Sequence, residues 1–214
     1  MPVEIPANVS NDPVAGRALD SLTFSWDPVL DVSSYQARLT GAGAAIMLTS
    51  LSNHITFSGL VANRDYVFQV QALKDADSSD YTEPIDICTR MPTPPAPGVS
   101  PLPGMAAGVI VHWDWSGLTI DESDPVQTEI LREIGSYQQT IHTELTRAGY
   151  LVDTASTGSC TYIIALVSHK RGAPNGINRA HGIPQTAVLV PMADHPASNG
   201  LPHEMLMKLA CWRV

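Results

Sequence analysis

The 214-residue sequence predicts an all-β chain of two antiparallel, two-sheet sandwiches in tandem, closed by a short helical tail. Three observations carry that expectation. Short runs alternate apolar and polar residues with period 2, the mark of a strand with one buried face. Clusters of Gly, Asn, Asp and Ser fall between the runs, where turns are needed. One run, "YVFQVQA" at 66–72, returns as "YIIALVS" at 162–168, the pattern expected of one strand in two copies of a fold.

The first half supplies its elements in order. "SLTFSWD" at 21–27 sets Leu22, Phe24 and Trp26 on one face, and "SYQARLT" sets Tyr35, Ala37 and Leu39 on one face. "GAG" at 41–43 offers the positive-φ residues of a hairpin turn. "AAIML" and "HITF" read as short strands separated by "SLSN". "YVFQVQA" turns Tyr66, Phe68, Val70 and Ala72 inward, "KDADSSD" makes a loop, and "EPIDICT" closes with Ile85, Ile87 and Thr89 toward the core. Six or seven short strands in about 90 residues, without helical periodicity, describe an antiparallel sandwich.

These residues resemble a fibronectin type III domain over most of residues 3–90. The resemblance rests on "LTFSWDPV" with Trp26, "YQARL" with Tyr35, and "GLVANRDYVFQVQA", in which Leu60 stands six residues before Tyr66. It implies an immunoglobulin-like sandwich in which the Tyr66 hydroxyl ties back to the backbone where the chain crosses between sheets. A buried Trp filling the space between sheets, and a buried Tyr needing a partner for its hydroxyl, fit that role.

The second half repeats the plan more loosely. "GVIVHWDW" at 108–115 puts Val109, Val111 and Trp113 where Leu22, Phe24 and Trp26 stand. "VQTEILREIG" parallels the "YQARL" strand without its Tyr, "YIIALVSHKRG" with Tyr162 matches "YVFQVQALKDA", and "PQTAVLVP" at 184–191 matches the closing "EPIDICT". Trp113 follows Trp26 by 87 residues but Tyr162 follows Tyr66 by 96, so about nine residues are inserted between those strands. Ser156 takes the place of Leu60, so the corner differs there. Between the copies, "MPTPPAPGVSPLPG" holds six prolines in fourteen residues, which favours an extended, semi-rigid connector, part of which could open the second sandwich as an edge strand. The expected organisation is a sandwich at 1–91, a Pro-rich linker at 92–98, a divergent sandwich at 99–193 and a tail at 194–214. The structural core is expected to centre on Trp26, Tyr35, Leu60, Tyr66, Trp113 and Tyr162.

Composition narrows the function classes. Hydrophobic residues are 44% and charged residues 15%, enough to build cores and unlike a disordered chain. The net charge is −9, with five Lys+Arg against eleven Asp+Glu in residues 1–93 and seven against ten in the remainder. No run of Lys and Arg marks a phosphate-binding footprint, so neither nucleic acid nor an anionic membrane surface is an expected partner. The start "MPVEIPANVSNDPVAG" has neither the basic nor the apolar region of a signal peptide, and no apolar run reaches about 18 residues, so the sequence is read as an uncleaved cytoplasmic chain without a membrane span. Cys88, Cys160 and Cys211 show no disulfide or zinc spacing and are read as free thiols.

Chemistry-bearing motifs are sparse. No Gly-rich phosphate loop, G-x-S-x-G elbow, H-E-x-x-H helix or RGD tripeptide occurs. Five of the seven histidines lie from His142 to His203, with His169, His181 and His195 read as loop residues and His112 as outward-facing on its strand. "DESD" at 121–124, near Asp114, is the densest carboxylate group; it reads as a solvated acidic loop, with a weak calcium site as the alternative. Trp115, just past the Trp113 strand position, is the exception among the strand tryptophans that could serve in sugar stacking. No metal, cofactor or catalytic residue is expected. The end, "GLPHEMLMKLACWRV", leaves the strand pattern: Met205, Leu206, Leu209 and Trp212 would form the apolar stripe of a short helix that must dock, onto its own sandwich or onto a neighbour.

The expected function is a non-enzymatic structural component of a phage-like particle, in a tail, tail tip or baseplate, assembled in the host cytoplasm. Its expected partners are other virion proteins and further copies of itself, with host-surface glycans or proteins as an added role through avidity. The virion setting is an analogy from where such domains occur, since a fold hosts many functions. A carbohydrate-binding accessory module and a capsid decoration protein remain as alternatives.

Overall fold

The computed structural model describes residues 2–11, 16–103, 108–154 and 159–188. Among these residues there is no α-helix; the one helical element is a 3-10 turn at Pro174–Gly176. The C-terminal helix read through Met205, Leu206, Leu209 and Trp212 lies outside the described residues, as does Ser156.

The first half packs two sheets. β1 (Ser21–Ser25) pairs antiparallel with β4 (His54–Ser58). Facing them, β3 (Ile46–Ser50), β2 (Ser34–Thr40) and β5 (Asp65–Lys74) form a sheet, with β6 (Asp77–Ser78) and β7 (Ile85–Cys88) both paired along β5. Period-2 alternation places Leu22, Phe24, Tyr35, Ala37, Leu39, Tyr66, Phe68, Val70 and Ala72 in one buried core with Trp26 and Leu60. Phe24 stacks on Phe68 with ring centroids 3.7 Å apart, and Trp26 meets Tyr35 edge-on at 5.2 Å. Each large aliphatic or Phe side chain among them contributes about 1.5–3 kcal/mol when fully buried.

The second half repeats the arrangement. β8 (Gly98–Pro101), β9 (Val109–Asp114) and β12 (Ala148–Asp153) form one sheet in the order β12-β9-β8. β11 (Tyr137–Glu144), β10 (Gln127–Ile134) and β13 (Ser159–His169) form the other, with β14 (Ile177–His181) and β15 (Gln185–Val188) sharing the far side of β13. Val109, Val111, Trp113, Ile130, Tyr162, Ile164 and Leu166 fill a second, separate core. The strand register accounts for the insertion. Ala37 pairs with Val70, and Thr128 pairs with Leu166. Trp26 precedes Ala37 by eleven residues while Trp113 precedes Thr128 by fifteen; Ala37 precedes Tyr66 by 29 while Thr128 precedes Tyr162 by 34. The extra length is therefore split between the loop carrying "DESD" and the longer hairpin of β10 and β11, which also holds a bulge at Ile130/Leu131.

The proline-rich stretch differs from a free spacer. Pro94 and Pro97 are buried, and β8 grows out of its end to pair with β9. Gly182 lies so close that an added Cβ would sit 3.0 Å from the Pro94 carbonyl oxygen. Met91 reaches past the connector into the second core.

Candidate functional site

A dense set of specific side-chain interactions lies where the two sandwiches meet. It begins at the turn after β4, where Asn63 adopts the left-handed conformation at φ 57, which Asn tolerates better than branched residues. Asn63 is fully buried. Its Nδ2 donates to the Asp121 carbonyl at 2.9 Å, and its Oδ1 accepts from Ser168 Oγ at 2.7 Å and Asn178 Nδ2 at 2.8 Å. Asn178 Nδ2 also donates to the Thr89 carbonyl, and the Asp121 amide donates to the Ala62 carbonyl. One amide side chain thus ties three segments of the second sandwich to the first.

Beside it, the turn after β13 enters against the first sandwich. The amides of Arg171 and Gly172 donate to the two carboxylate oxygens of Asp65, at 3.2 and 3.1 Å. Gly172 lies against the backbone of Ile87 and Cys88 so closely that a Cβ would fall 1.9 Å from the Ile87 carbonyl carbon. Only glycine allows that approach.

The acidic loop completes the joint: Glu122 and Ser123 are exposed, as a solvated loop implies, while Asp121 is drawn in. Asp121 is 11% exposed and faces Arg64 Nε at 3.4 Å, an ion pair rather than a hydrogen bond. Lys170, its side chain 1% exposed, sits 2.9 Å from Asp124 and 3.7 Å from Asp121. Burial alone would raise the Asp121 carboxyl, but hydrogen bonds from Ser123, the Arg64 guanidinium and the Lys170 charge together hold it below the usual carboxylate range. Glu122 turns outward to Arg147 at 2.8 Å. Asp114 stays apart, exposed, with hydrogen bonds from Ser116 holding its carboxyl low. The carboxylates of this loop are thus occupied by Lys170, Arg64 and Arg147, and among the described residues no group of three or more His, Cys, Asp or Glu is placed to hold a metal ion.

Two further expectations are corrected. Trp115 is not a sugar platform: it is 1% exposed, and its indole N–H donates to Thr128 Oγ1 at 2.9 Å. Its amide donates to the Arg147 carbonyl, prolonging the β9 alternation by one inward position. His169 and His181 are not loop residues but end β13 and β14, both exposed. His195 and His203 lie outside the described residues.

The named core residues divide into two different corners. Trp26, Tyr35, Leu60, Tyr66, Trp113 and Tyr162 are all at most 7% exposed. The Tyr35 hydroxyl accepts from the Val29 amide, and the Tyr66 hydroxyl accepts from the Val61 amide at 3.1 Å. The Tyr162 hydroxyl instead donates to Asp153 Oδ2 at 2.8 Å, and Arg132 Nη1 bridges both oxygens of that carboxylate at 3.0 and 2.9 Å.

A second surface stands out at the open edge of the first sandwich. β3 exposes Ile46, Met47 and Leu48, with Leu51 just beyond it 87% exposed. No charged side chain occurs from Leu39 to Asn53. Edge strands usually carry charge or proline against unwanted pairing. β11, the counterpart in the second sandwich, reads YQQTIHTE.

Residues 8–87, in the first sandwich, match the model of the fibronectin type III domain family. The all-β fold of the described chain is of the same sandwich type. It is similar to a two fibronectin type III domain segment from chicken tenascin, at 18% identity over 87% of this chain and 99% of that chain, with a TM-score of 0.51. It is also similar to the chicken interferon gamma receptor alpha chain, at 12% identity over 87% of this chain and 98% of that chain, with a TM-score of 0.46. The fibronectin type III domain of human collagen alpha-1(XX) matches at 20% identity over 44% of this chain and 91% of its own, with a TM-score of 0.39. No curated protein matches the sequence. Likenesses at these identities describe the fold alone. Fibronectin type III domains are generally binding or structural modules.

Proposed function

We propose that this protein is a non-enzymatic structural element that holds two sandwiches in one fixed relation within a larger assembly. The phage-like particle reading from the sequence, in a tail, tail tip or baseplate, is the form of assembly we favour, with other virion proteins and further copies of this chain as partners. The observation that carries the structural reading is the polar joint: Asn63, Ser168, Asn178 and Asp121 are linked by direct hydrogen bonds at 2.7–2.9 Å. A greasy contact between sandwiches could slide; a satisfied, directional polar network admits one arrangement. That suits a spacer of defined geometry. The uncharged β3 edge is the surface this reading gives to neighbouring subunits, because its counterpart β11 shows that the fold does not need apolar residues there. Residues Met205, Leu206, Leu209 and Trp212 are the second contact in the proposal.

The test is mass spectrometry of density-purified particles from the native source. The reading expects this chain at fixed stoichiometry with tail or capsid proteins, and expects that removing residues 200–214, or placing Lys at Ile46 and Leu48, lowers incorporation while the sandwiches stay folded. Recovery only in a soluble or secreted fraction would overturn it.

A further inference from the structure

The chain's 12 Lys and Arg residues form no run in the sequence, yet folding gathers three arginines around one cleft. This cleft, about 430 Å³, lies between the end of the first sandwich and β14. Arg17, Arg90 and Thr93 line one side; Asn178, Arg179 and His181 line the other. Among the described residues none of the lining side chains is acidic, in a chain with 21 Asp and Glu. The neighbouring cleft at the joint is different: there Asp65 and Asp124 balance Lys170 and Arg171.

Arg17 is the most deeply buried of the three arginines. It is 7% exposed, and its guanidinium donates through Nε to the Cys88 carbonyl at 2.7 Å and through Nη2 to Cys88 Sγ at 2.8 Å. Neither partner brings a negative charge: the carbonyl is a dipole, and burial holds the Cys88 thiol above its ordinary value despite the arginine beside it. Arg64, Arg132 and Arg147 by contrast each face a carboxylate. Burying a cation without an opposite charge costs several kcal/mol, unless an anion arrives to share the site. Two of the five guanidinium donors of Arg17 are committed to Cys88, and the fork geometry of the others suits a planar or tetrahedral oxyanion.

We infer that this cleft binds an oxyanion, the phosphate or carboxylate group of a small ligand, between Arg17 and Arg90 on one wall and Arg179 on the other. Arg179 also reaches Glu129 at the rim, so it exchanges one oxyanion for another when the ligand enters. The site draws residues from both sandwiches and exists only when they are joined.

The experiment is a nuclear magnetic resonance titration of the full chain, at constant ionic strength, with inorganic phosphate in one arm and citrate in the other. Sodium chloride serves as the control. Saturable shifts at the Arg17, Arg90 and Arg179 side chains and the Thr93 amide are expected in at least one arm, and the arm that saturates identifies the group. Arg90→Gln and Arg179→Gln are each expected to weaken binding about tenfold or more, consistent with loss of one charged hydrogen bond. Thermal melts check that both variants fold. Linear shifts matching those of chloride in both arms, or saturable binding unchanged in the Arg90→Gln/Arg179→Gln double variant, would overturn the assignment.

Discussion

Tyr66 and Tyr162 occupy the same place in the long central strands of the two sandwiches, yet their hydroxyls are satisfied in opposite ways. Tyr66 accepts a hydrogen bond from an amide five residues upstream, a local and neutral tie. Tyr162 donates to Asp153 on β12, which is held in turn by Arg132 on β10, so a buried ionic network joins the two sheets. The first solution is inexpensive and tolerant. The second places charge in the interior, where it holds only while every partner remains. Two copies of one fold can therefore share strands and core positions while differing in which substitutions they survive.

That contrast can be broken by substitution. Arg132→Met leaves a nearly buried carboxylate without its guanidinium and is expected to cost about 3–5 kcal/mol, read from urea denaturation. Gly172→Ala tests the joint rather than a core. The backbone of Ile87 cannot yield to a Cβ at 1.9 Å, so the sandwiches must part, at a cost of about 3 kcal/mol. Limited proteolysis between residues 91 and 98 should speed up in this variant while each core stays folded.

The two tyrosine hydroxyls carry smaller effects. Tyr162→Phe removes a hydrogen bond to a charged group and should cost about 1.5–3 kcal/mol, whereas Tyr66→Phe removes a neutral one and should cost about 1 kcal/mol. Equal losses in urea denaturation would erase the distinction between the corners. The weakest expected effect is acid sensitivity of the joint. The folded Asp121 carboxyl lies below its ordinary value of about 3.9, so its contribution is complete above about pH 4 and is lost as pH falls through the lowered value. Melting temperatures followed from pH 7 to pH 3 should fall more steeply in the natural chain than in Asp121→Asn.

Much of the fold was legible because it is periodic. Leu22, Phe24 and Trp26, and again Val109, Val111 and Trp113, announce their faces by alternation alone, and all six are buried. Trp115 shares the parity of Trp113, so its burial was also written in the pattern; it was missed because the strand was expected to end first. The joint carries no such signal. Asn63 and Asn178 stand 115 residues apart, Ser168 is one more small residue at the end of a strand run, and Asp121 and Gly172 read as ordinary loop residues until the fold brings them together. Small polar side chains have no period, and a glycine's close approach is invisible without the backbone it approaches. β11, β12 and β14 were likewise hidden: YQQTIHTE and INRAH are rich in polar residues that also suit loops, and AGYLVD opens on Ala and Gly. The cationic cleft shows the same limit, since Arg17, Arg90 and Arg179 are far apart in sequence and adjacent only after folding.

The central claim is that the polar joint makes the two sandwiches one rigid unit. The most direct test is to measure residual dipolar couplings of backbone amides in both halves of the full chain. A single alignment tensor fitting residues 16–90 and 108–188 together is the predicted result, with separate tensors appearing in Gly172→Ala. Two independent tensors in the natural chain would contradict the claim, and with it the reading of this protein as a spacer of fixed geometry.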